Sequence, residues 1–63
     1  MLVLCILQHE TAIVRGPFAD MQAAEQYVKE KFPWTTQMKI ELGTPIRHSL
    51  GYFSLVITDV KQP

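Results

Sequence analysis

The chain opens on seven consecutive apolar residues, Met1-Leu2-Val3-Leu4-Cys5-Ile6-Leu7. A strand shows its side chains alternately to the two faces of a sheet, so an unbroken apolar run calls for cover on both. A chain of 63 residues whose periodicity offers one helix can cover only one of them. Either the second face stays partly apolar, or something outside the chain covers it. The run is far shorter than the roughly 20 residues of a membrane span. It also lacks the basic flank and small-residue cleavage site of a secretory signal. It therefore reads as a strand of a cytoplasmic protein with no membrane association.

The length predicts a single domain spanning residues 1–63, which buries only about 60% of the surface its unfolded chain exposes. Oligomerisation, a metal or disulfides supplement small cores of this kind. One cysteine excludes an intrachain disulfide and suits a reducing compartment. Six acidic and six basic residues give a net charge of zero. That removes the long-range attraction to phosphate on which nucleic-acid and membrane-surface binders rely.

Beyond the polar Gln8-His9-Glu10, the segment Thr11-Ala12-Ile13-Val14-Arg15 resumes a β-branched pattern, and the two runs read as a hairpin. Gly16-Pro17 is expected to end it, because proline fixes φ and lacks an amide donor. Asp20 is placed to cap a helix. From Met21 to Phe32 the positions Met21, Ala24, Val28 and Phe32 share one stripe, with Tyr27 at its margin. Glu25 precedes Lys29 by four residues on the solvated side, the favourable orientation for a helical ion pair. Pro33 stops the helix. Trp34 to Leu42 alternate apolar and polar residues, Gly43 to Gly51 break the pattern, and Tyr52 to Val60 restore it, so third and fourth strands are expected on either side of a long loop. The tail 61–63 is expected to fray.

The expected fold is α+β: a four-stranded, largely antiparallel ββαββ sheet with one helix on one face. A right-handed crossover makes strands two and three parallel, with strand one filling the gap between them. That favours the order 2-1-3-4, which places the all-apolar strand inside the sheet; 2-1-4-3 is the alternative, since strand four is also apolar. If Leu2, Leu4 and Ile6 face the helix, Val3, Cys5 and Leu7 face away, joined by one set from strand two and by Tyr52 or Val56. The patch is expected to be local, bordered by Gln37, Lys39 and Glu41 of strand three. The competing reading is a scatter of tolerated exposed residues.

No catalytic or metal constellation emerges, and no cofactor is expected. Cys5 and His9 lie roughly 13 Å apart if they share one strand, beyond joint coordination of one zinc. His48-Ser49 has no acid placed to orient the histidine. An enzymatic site would need a pocket shared between two copies and containing His9 or His48. The segment 43–51 combines Ile46 and Leu50 with Arg47 and His48, which suits an apolar anchor with polar orientation at a protein contact; alternatively, Ile46 and Leu50 tuck under the sheet edge. The candidate partner-binding residues are thus Val3, Cys5, Leu7, Ile46, Arg47, His48, Leu50 and Tyr52.

Ile13-Val14-Arg15-Gly16-Pro17-Phe18-Ala19-Asp20, followed by Ala23-Ala24 and Tyr27, resembles a pattern of short phage and mobile-element accessory proteins, in which a hairpin ends in Gly-Pro-Phe and enters a helix. The resemblance covers residues 11 to 32 and transfers no catalytic residue. It implies a compact protein that binds and blocks or redirects a host protein. The expectation is therefore a non-enzymatic protein-binding module, an inhibitor or adaptor, with a homodimer as a further form. The alternative is a nucleic-acid-binding module using Trp34, Tyr52, Arg15, Lys39 and Arg47.

Overall fold

A computed structural model describes residues 1–49, 51 and 53–61. The order of elements is β1 (Leu2–Gln8), β2 (Thr11–Phe18), α1 (Met21–Lys31), a single 3-10 turn (Pro33–Thr35), β3 (Ile46–Arg47) and β4 (Phe53–Asp59). The four strands form one sheet in the order β2-β1-β4-β3, antiparallel at each pairing, so the fold is small α+β. The favoured order 2-1-3-4 is corrected to its alternative. With β1 between them, β2 and β4 run parallel, whereas β2 and β3 run opposite ways.

Central β1 pairs along its whole length with β4, from Leu2 opposite Asp59 to Gln8 opposite Phe53. Both strands carry apolar residues on both faces, as interior strands do. On the helix side one aliphatic row crosses the whole sheet: Ile13, Ile6, Leu55 and Ile46 stand opposite one another in register. Leu4 and Ile57 form the neighbouring pair. Ala24 and Val28 of α1 close over these residues and have no solvent exposure.

The helix stripe forms as the spacing predicts, with Ala24 and Val28 buried and Met21, Tyr27 and Phe32 partly buried around them. Asp20 caps the helix: the Ala23 N–H donates to its Oδ1 at 2.8 Å. Tyr27 packs at the margin on Phe18, ring centroids 5.3 Å apart. The Glu25–Lys29 pair is not formed; among the described residues the ion pairs join the N-terminal amine to Asp59 and Lys39 to Glu41.

Two segments depart from the periodicity. Gly16-Pro17 does not end the hairpin. β2 runs on to Phe18, because the register shift between Leu2 and Leu4 sets Gly16 and Pro17 together opposite Val3 as a bulge. An edge strand tolerates proline at a bulge, where no ladder donor is needed. The bulge also needs its glycine: φ at Gly16 is +129, and a Cβ there would lie 3.1 Å from the Leu2 carbonyl oxygen.

Trp34 to Leu42 is not a strand. Pro33 starts a 3-10 turn, the Thr35 hydroxyl donates to the Phe32 carbonyl at 2.8 Å and the Thr36 hydroxyl to that of Pro33 at 2.6 Å. These bonds hold the chain in a tight local turn at the point where a strand would have to begin. Ile40 drops into the core, while Met38 and Leu42 remain 38% and 50% exposed. The third strand falls instead within the expected loop, at Ile46–Arg47. Below it, the Gly43 N–H donates to the Ile57 carbonyl at 2.7 Å, continuing cover of the β4 edge.

Candidate functional site

The face of the sheet turned away from α1 is built by alternation. Residues standing opposite one another across an antiparallel ladder share a face. Val14, Cys5 and Val56 therefore form one row across β2, β1 and β4. Ala12, Leu7, Ser54 and Arg47 form the next, nearest the β1–β2 hairpin. Val3 and Thr58 form a third at the bulge end. Val14 and Leu7 are 60% and 45% exposed, and Cys5, Val56, Ser54 and Thr58 are half-buried. Val3 is buried between Thr58 and the bulge. The apolar surface is thus centred on Cys5, Leu7 and Val14.

At the hairpin end the face runs into an open groove of about 600 Å³ whose lining includes Leu7, His9, Glu10, Ala12, Arg47 and Ser54. His9, the first of the two residues linking the paired Gln8 and Thr11, has φ +32. Two-residue hairpin loops commonly demand a positive φ there. This conformation sets the tight turn at the mouth of the groove.

Of the residues expected to meet a partner, Val3, Cys5, Leu7 and Arg47 lie on this face. Ile46 does not serve as an anchor: it is 5% exposed and fills the core opposite Leu55. Alternation sends Ile46 inward and Arg47 outward, so the two-residue strand divides its side chains between core and surface. His48 is half-buried on the helix side, its ring edge-on to Trp34 at 4.9 Å. Leu50 and Tyr52 lie outside the described residues. Val14 and Ala12 stand beside Cys5 and Leu7 because the two period-two runs pair through a two-residue turn.

Gln37, Lys39 and Glu41 do not border the face, since their segment does not join the sheet. Arg47 is the charged residue among the three rows. Trp34 packs against His48 and Phe53 (4.9 and 5.9 Å between centroids) instead of standing on the open face. Among the described residues no three His, Cys, Asp or Glu side chains converge as a metal site. No helix among them is long and apolar enough to cross a membrane.

No protein family, curated protein or solved structure matches this chain.

Proposed function

We propose that the protein is a small non-enzymatic binding module that engages another protein through its open sheet face, acting as an inhibitor or adaptor of the kind found in phages and mobile elements. The observation that carries this reading is the contiguous row Val14, Cys5 and Val56 with Leu7 beside it, in which Val14 is 60% exposed. Single exposed valines or leucines are ordinary, whereas an apolar patch spread over three neighbouring strands favours a protein contact. Arg47 at the corner supplies a polar orienting group of the type found at the rim of such contacts.

Affinity capture with three baits tests the reading: the wild-type chain, Val14→Lys on the open face, and Gln26→Lys on the solvated side of α1. A protein retained by the wild type and by Gln26→Lys but lost with Val14→Lys supports it. The same retained set on all three baits would sink it.

A further inference from the structure

We infer that the groove at the hairpin end receives a partner segment carrying one aspartate or glutamate two positions from an apolar residue, the carboxylate held by Arg47 and the apolar group by Leu7 and Ala12. This rests on the reading of the open face as a protein contact and names the chemistry that the face selects. Arg47 is exposed and is the one lysine or arginine among the described residues lining the groove. The ion pairs among those residues join the N-terminal amine to Asp59 and Lys39 to Glu41, so the Arg47 guanidinium has no carboxylate of its own. A guanidinium holds a carboxylate through two parallel N–H bonds, about twice as strong as neutral ones.

The backbone beneath that guanidinium is already fixed. Arg47 stands opposite Ser54, Ile46 before it is buried in the core, and the His48 N–H after it donates to the Phe53 carbonyl at 2.9 Å. Binding therefore orders side-chain torsions alone, which keeps its entropic cost low. Spacing sets the pattern of the segment. Ala12, Leu7, Ser54 and Arg47 stand in one row on successive strands, so Leu7 and Arg47 are about 10 Å apart at two strand spacings. In an extended segment, residues two apart share a face at about 6.8 Å. The length of an acidic side chain covers the remainder.

Glu10 argues against more highly charged ligands. It lines the same groove from the turn joining β1 and β2, so a phosphoryl group or a second carboxylate beside the first meets like charge there. Phosphoryl groups are normally read by clusters of arginines, and one arginine beside one glutamate is not a cluster. A chain terminus is normally captured by converging backbone N–H groups. Here Gln8 and Thr11 pair with each other across the hairpin, and the open groove suits a segment passing through it. The carboxylate is therefore assigned to a side chain.

The test is selection from a bead library of short random peptides, N-acetylated and C-amidated, against the wild-type chain and against Arg47→Ala. Peptides retained by the wild type are expected to be enriched in an acid two positions from an apolar residue. Each is expected to weaken at least about tenfold against Arg47→Ala, and equally when its acid is replaced by the amide, with Arg47→Lys intermediate. The amide exchange leaves the protein untouched, so it decides the question even if Arg47→Ala fails to fold. No retained peptide, or retained peptides without that acid, overturns the inference. So does tighter binding when phosphoserine replaces the acid, or binding that requires a free C-terminus. A protein captured from lysate that is lost with Val14→Lys but kept at full strength with Arg47→Ala also overturns it, and leaves the contact-surface reading standing.

Discussion

Leu55 and Val56 are adjacent, yet the sheet treats them oppositely. Leu55 has no exposure and stands between Ile6 and Ile46 under the helix, while Val56 lies half-buried on the open face. Leu55→Ala is expected to lose about 3 kcal/mol through transfer and cavity terms. That is a large share of the roughly 3 to 9 kcal/mol typical of a domain this size. Val56→Ala is expected to lose about 1 kcal/mol or less. Urea midpoints of the two variants measure the difference directly. At Gly43 the issue is conformational: φ is +79, and an added Cβ would meet nothing within 4 Å. Gly43→Ala is therefore expected to destabilise by about 1 to 2 kcal/mol from backbone strain alone, and comparable losses with alanine and serine at this position would confirm that side-chain size is not the cause.

At the scale of elements, α1 has 11 residues, too few to be stable alone in water. Its cap and its buried stripe hold it. Asp20→Ala removes the acceptor of the Ala23 N–H and is expected to lower stability by about 1 kcal/mol, read as a lower urea midpoint with little change in the native circular dichroism spectrum. Asparagine at the same position should recover most of the loss, since it keeps an oxygen acceptor. The β2 edge carries its own protection. Pro17 and the Gly16 bulge interrupt one end of the strand, the devices by which natural edges avoid pairing with other sheets. That protection favours contact through the face over contact through this edge.

For the whole molecule, the shortest dimension is 17 Å, the thickness of one helix on one sheet with nothing beyond. Val14→Lys is expected to leave intrinsic stability within about 0.5 kcal/mol, because the side chain is already mostly in water, even as it disrupts the proposed contact surface. Equal urea midpoints for the two proteins, with loss of the captured protein in the variant, would separate those two effects.

Much of this architecture is legible in the chain. The apolar run Met1–Leu7 requires an interior strand, the stripe through Ala24 and Val28 with Asp20 before it dictates the helix, and alternation sends Val3, Cys5 and Leu7 to the face opposite Leu4 and Ile6. These features are local, set by side-chain period and capping chemistry. Strand order and the fate of residues 34–42 were decided only in three dimensions. Alternation makes a segment able to be a strand, but a strand also needs an unpaired edge to join. Both edges of β1 are taken by β2 and β4, and the edge of β4 that Trp34–Leu42 was expected to share is taken by Ile46–Arg47 and the Gly43 amide. Trp34–Leu42 was left to turn on its own threonines, and the open face lost the charged border that segment would have given it.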